Sequence, residues 1–129
     1  MSRNAFPLRN TREEVYEHTF VFTGTGADEF TKTYARGLSA VARQSAGVHR
    51  LSFTDHPGTL CGFTYGFQGT TVANLAGHDV TLSAWTAPSG STKGYFQITI
   101  WNASEAAHDL VATELLHLTL KFTRSGLGD

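Results

Sequence analysis

The sequence predicts an all-β fold: about eight short strands at the spacing of a sandwich, jelly roll or barrel, preceded by an extended arm. Three observations carry this. Aromatic and β-branched residues fall in short runs of alternating polarity, the pattern of strands with one buried face. Clusters of Gly, Pro, Asn, Asp and Ser separate the runs. No long segment carries a helical period, which argues against parallel α/β architectures.

The strands can be taken in order. Residues 14–23 alternate, with Tyr16, His18, Phe20 and Phe22 on one face and Glu17, Thr19 and Thr23 on the other. Gly24-Thr25-Gly26 ends this run, and shorter runs follow at 30–34 and 38–44. Ser45-Ala46-Gly47 reads as a tight hairpin into 48–54, because glycine supplies the positive φ that short hairpin loops need. In that strand His49, Leu51 and Phe53 share a face, opposite Arg50 and Ser52. Asp55-His56-Pro57-Gly58 is a strong turn. It leads to 59–67, with Cys61, Phe63, Tyr65 and Phe67 on one side and Gly62 and Gly66 on the other.

Residues 68–78 read as a long irregular loop. Alternation resumes over 79–87, setting Val80, Leu82 and Ala84 against Thr81, Ser83 and Trp85. Residues 88–91 turn the chain into 95–102, where Phe96, Ile98 and Ile100 oppose Tyr95, Gln97, Thr99 and Trp101. After a loop or helical turn over 103–112, the last strand, 115–124, points Leu116, Leu118, Leu120 and Phe122 inward. Residues 1–12 contain Pro7 and do not alternate, so they read as an extended arm outside a single domain at 13–129.

A chain of 129 residues is long enough to bury a core without disulfide or metal. The single Cys61, inside an apolar run, is expected to be a buried free thiol in a protein that folds in a reducing compartment. The start of the chain lacks the apolar stretch of a secretory signal, and no stretch is long enough for a membrane helix. Synthesis inside the cell is the expectation. The net charge of −1 gives no bulk attraction to nucleic acid or membrane. It is unevenly distributed: the arm holds Arg3, Arg9 and Arg12 and no acid, leaving seven basic against eleven acidic side chains in the body.

The chemistry-bearing residues form no catalytic signature. Asp55-His56, His78-Asp79 and His108-Asp109 all fall in turns or loops that could gather at one end of a sandwich. Neighbouring residues point apart in extended chain, however, and no metal-ligand spacing is present, so solvated turn residues are expected and no metal. There is no GxSxG elbow, no paired carboxylate within a strand, and Gly24-Thr25-Gly26 lacks the helix and third glycine of a phosphate loop. The expectation is a non-enzyme without cofactor. Alternation turns Trp85, Tyr95 and Trp101 outward, where aromatics suit a protein interface or stacking on sugar rings.

Two stretches resemble a known class of proteins. The run LSAVARQSAGVHRLSF at 38–53 has the R-x-x-x-G-V-x-x-hydrophobic hairpin found in small structural proteins of tailed bacteriophages. The closing stretch is also similar: YFQITIWNAS at 95–104, the small-residue loop at 110–113, and LHLTLKF at 116–122. Residues 68–78 depart from that pattern. The resemblance implies a capsid cement, or decoration, protein with a jelly-roll-like antiparallel β-sandwich on the outside of a phage head. Its implied partners are the major capsid protein and neighbouring copies of itself, as a homo-oligomer on the virion, with synthesis in the host cytoplasm. Nucleic acid and membrane are not among the expected partners. The arm would add contacts at a distance, with Arg3, Arg9 and Arg12 in an acidic groove and Phe6 and Leu8 as anchors; Trp85, Tyr95 and Trp101 complete the expected contact set. A tail, baseplate or fibre subunit is the alternative of the same class, and a carbohydrate-binding sandwich module the alternative of another.

Overall fold

The computed structural model describes residues 13–125; the predicted arm, residues 1–12, lies outside them. Eight strands follow in chain order: β1 (Glu13–Thr23), β2 (Thr31–Ala35), β3 (Leu38–Ser45), β4 (Val48–Phe53), β5 (Thr59–Gln68), β6 (Asp79–Leu82), β7 (Tyr95–Trp101) and β8 (Leu115–Ser125). They form two antiparallel four-stranded sheets, ordered β2-β1-β8-β5 and β3-β4-β7-β6. The protein is therefore the all-β sandwich that alternation predicts, with its first and last strands paired at the centre of one sheet.

Period-2 patterning explains how the layers meet. In the β1–β8 ladder His18, Phe20 and Phe22 stand beside Leu120, Leu118 and Leu116, on the face that becomes the core. From the other sheet Leu51, Phe53, Phe96, Ile98 and Ile100 pack down onto them. Phe53 binds the layers together, with ring centroids 5.7 Å from His18, 5.9 Å from Phe20 and 5.7 Å from Phe122. The outward side chains make ordinary surface contacts, such as Thr19 Oγ1 to Thr119 Oγ1 at 3.2 Å and Lys121 to Glu17 at 3.7 Å.

The β3–β4 hairpin turns through Ala46-Gly47, and Gly47 takes the positive φ of 72° expected there. A second constraint acts on the same glycine. A Cβ would stand 2.5 Å from the His108 nitrogen, so the 103–112 loop packs directly on the bare backbone. That loop is turn and coil without a helix.

Two sequence expectations are corrected. Cys61 is exposed, not buried. The β5–β8 register slips between Leu60 and Gly62, so Leu60 pairs with Phe122 and Cys61 is the extra residue of a bulge. Strand β6 ends at Leu82 rather than continuing to residue 87. Ser83 there breaks the alternation, its N–H donating to the Gln97 carbonyl and its Oγ accepting from the Gln97 N–H, both at 2.8 Å. The loop expected at 68–78 starts one residue later, since Gln68 closes β5, and is irregular from there apart from a 3-10 turn at Val72–Leu75.

Candidate functional site

The His-Asp pairs divide between the two ends of the sandwich. His56 lies in the β4–β5 turn, where its Nδ1 accepts the Gly58 N–H at 3.0 Å and its ring stands 4.8 Å from Trp85. At the other end the rings of His78 and His108 meet edge to face at 5.0 Å. Their neighbouring carboxylates are engaged elsewhere. Asp109 accepts from Arg43 Nε at 3.1 Å, from the second guanidinium nitrogen at 2.8 Å and from the Gly47 N–H at 2.8 Å. The Arg43 bonds chiefly hold its carboxyl below the ordinary value. This bidentate clamp ties the 103–112 loop to the β3–β4 hairpin. Asp79 accepts from the Tyr65 hydroxyl and the Val80 N–H, which likewise keep its carboxyl ionised to lower pH. Among the described residues no three His, Cys, Asp or Glu side chains converge as metal ligands.

The three predicted outward aromatics have three different fates. Trp85 turns inward, which corrects the expectation: its ring stands 5.2 Å from Phe96 and 6.5 Å from Phe53, and a Cβ at Gly94 would overlap it. The cause is the early end of β6, which frees residue 85 from the alternation. Tyr95 does face outward, half-buried, with the Arg50 guanidinium 4.4 Å from its ring centroid. Trp101 also lies on the outer face, half-buried, its indole N–H donating to Thr81 Oγ1 at 2.9 Å. Six residues apart on β7, these two rings are separated by about 20 Å and do not form one patch. Trp101 instead borders a shallow cleft of about 480 Å³, lined by Asp79, Thr81, Asn102 and Glu105 among others. The remaining expected contact residues, Arg3, Phe6, Leu8, Arg9 and Arg12, lie outside the described residues.

The four sheet edges differ in how they are protected. Unpaired edge strands invite pairing with other chains, and natural proteins blunt them by shortness, charge, proline or bulges. Strand β2 has five residues and carries Lys32; β6 has four and starts at Asp79. Strand β3 carries Arg43 and has register shifts near both ends. Strand β5 is different. It runs for ten residues, TLCGFTYGFQ, with no charge and no proline. Its bulge lies near the start, so Gly62 to Gln68 stay in regular register with β8. Among the described residues no backbone hydrogen bond is made to its other edge.

The side chains around this edge are incompletely covered. Phe63, Tyr65 and Phe67 share the inner face with Leu120, Leu118 and Leu116. They flank the core, where Tyr65 donates to Asp79 of β6 and Phe67 meets the His78 ring at 5.6 Å; Phe63 and Phe67 are half-buried and Tyr65 is 40% exposed. Gly62 and Gly66 face outward onto open space; a Cβ at either would touch nothing. The aromatic alternation of 59–67 was legible in the sequence, and so was the lack of charge. What makes that lack informative is the position of β5 at an edge, which no local pattern encodes.

One buried group stands apart. His49, on the inner face of β4, is 1% exposed and stacks on Phe30 with centroids 3.8 Å apart. Neither ring nitrogen has a hydrogen-bond partner. Burial pushes its pKa down to about 4; Asp109 opposes that shift and Arg43 adds to it. It is a neutral core residue, and sequence reasoning placed it correctly inward.

Compared with known protein families, curated proteins and solved structures, the chain matches none.

Proposed function

We propose that the protein is a non-enzymatic structural component of a tailed-phage virion, a decoration protein that joins neighbouring protein chains on the outer surface of the head. The observation that supports this reading best is the open edge of β5. Three edges of the sandwich are blunted against other chains, while the longest is neutral and flanked by partly exposed aromatics. Such an edge suits a module whose work is to be held against other protein. In this reading the major capsid protein is contacted through the basic arm and the outer face bearing Tyr95 and Trp101. Mass spectrometry of purified particles tests it. Copies commensurate with the shell protein are expected; a handful per particle would move the protein to the tail, and absence would overturn the proposal.

One observation favours a second reading. The Trp101 cleft combines an indole with the side chains of Asp79, Asn102 and Glu105, the mixture that sugar-binding sites use for stacking and hydroxyl recognition. A glycan that shifts the tryptophan fluorescence, with the shift lost in Trp101→Ala, would support that module.

A further inference from the structure

We propose that β5 is the seam of a two-fold dimer, pairing antiparallel with β5 of a second copy in a register centred on Thr64. This rests on the reading of β5 as a docking edge and names its occupant. A symmetric pair of identical strands brings each residue opposite a residue of its own strand, so any charge near the axis meets the same charge. Residues 59–68 contain none. The strand is therefore self-compatible in a way that β2, with Lys32, β3, with Arg43, and β6, with Asp79, are not.

Within residues 62–66, short of the Cys61 bulge, matching faces limit which residues can oppose, and Thr64 is the centre that sets the two bare glycines against each other. Directly opposed residues in an antiparallel ladder lie on the same face, so inner residues must meet inner ones. Centring on Thr64 opposes Phe63 to Tyr65 of the second copy and Tyr65 to its Phe63, which makes two aromatic cross-strand pairs on the inner face. The half-buried and exposed rings at the flank are the ones this pairing covers. On the outer face Gly62 meets Gly66 of the second copy, and Thr64 meets itself. Both glycines look onto open space, so nothing on that face obstructs the approach. The result is a continuous eight-stranded sheet that leaves the outer face of the β3-β4-β7-β6 sheet free for other partners.

Sedimentation velocity and cross-linking test the proposal. The full-length chain should sediment at twice 14.0 kDa; a species that stays monomeric up to its solubility limit would overturn the dimer. Thr64 is exposed, so Thr64→Lys should retain the circular dichroism and Tm of a folded monomer while weakening dimerisation at least tenfold. A folded variant that still dimerises like the parent would place the interface elsewhere. In a Cys61→Ser background, Thr64→Cys should form an intermolecular disulfide on mild oxidation, since opposed Cβ atoms stand about 5 Å apart. Thr59→Cys in the same background should not, and equal cross-linking of the two would refute the register. The outcome is separable from the proposed function: a monomer present at shell stoichiometry refutes only the dimer, and a β5 dimer absent from particles refutes only the virion role.

Discussion

Acidification should act on His49, a buried group whose neutral form the fold favours. His49 titrates at about 4 in the native state against an ordinary value of 6.5. The unfolded chain therefore binds the proton more tightly, and stability must fall as pH drops through that window. Above the ordinary value the contribution is nil. At about pH 5 it amounts to roughly 2 kcal/mol lost, approaching about 3 kcal/mol near pH 4, since each pH unit inside the window costs about 1.36 kcal/mol. Replacement by leucine, of similar volume, removes both the titration and two unpaired buried nitrogens, at the loss of the Phe30 stack. Urea unfolding of parent and His49→Leu at about pH 7 and pH 5, followed by tryptophan fluorescence, isolates the effect. Titrations elsewhere occur in both proteins and cancel in the difference. The parent should lose roughly 2 kcal/mol more than the variant between the two pH values. Equal losses would show that His49 is protonated in the fold without penalty, and the account of its burial would be wrong.

Other consequences are direct. Trp85→Ala should destabilise by about 2–3 kcal/mol in denaturant unfolding, because the ring packs on Phe53 and Phe96; a surface tryptophan would cost almost nothing. Asp109 has a carboxyl held below its ordinary 3.8, mainly by Arg43, so the stability it contributes is present above that value and lost as pH falls through the lower folded one. Asp109→Asn should therefore flatten the acid limb of the stability profile below about pH 4, measured as Tm against pH. Cys61, exposed at its bulge in the single chain, should react with a chromogenic disulfide reagent in the folded monomeric Thr64→Lys variant at nearly the rate of the unfolded chain. A need for denaturant would return it to the core.

Much of the fold was legible because most strands bury one face, although β2 and β5 do not. His49-Leu51-Phe53 and Phe96-Ile98-Ile100 each repeat at two residues and lie inward as the pattern requires. The failures occur where an extra or irregular residue breaks the period. A bulge at Cys61 shifted one side chain off its face, and the Ser83 irregularity set the half-buried Trp85 against Phe96 and Phe53. A bulge is set by how a strand fits its partner, and here Leu60 pairs with Phe122 of β8, far along the chain.

By itself the sequence determined that this is a two-faced β protein, which residues of most strands face the core, and that 59–68 bears no charge. Alternation and turn chemistry are local, and local patterns suffice for that. Only the tertiary structure decided strand order, and with it that β5 lies at an edge rather than between neighbours. It also decided that Asp109 clamps Arg43 and the Gly47 backbone rather than serving His108. Strand order and loop packing depend on contacts between segments far apart in the chain, and a neutral strand is ordinary inside a sheet but reads as a docking edge at its border.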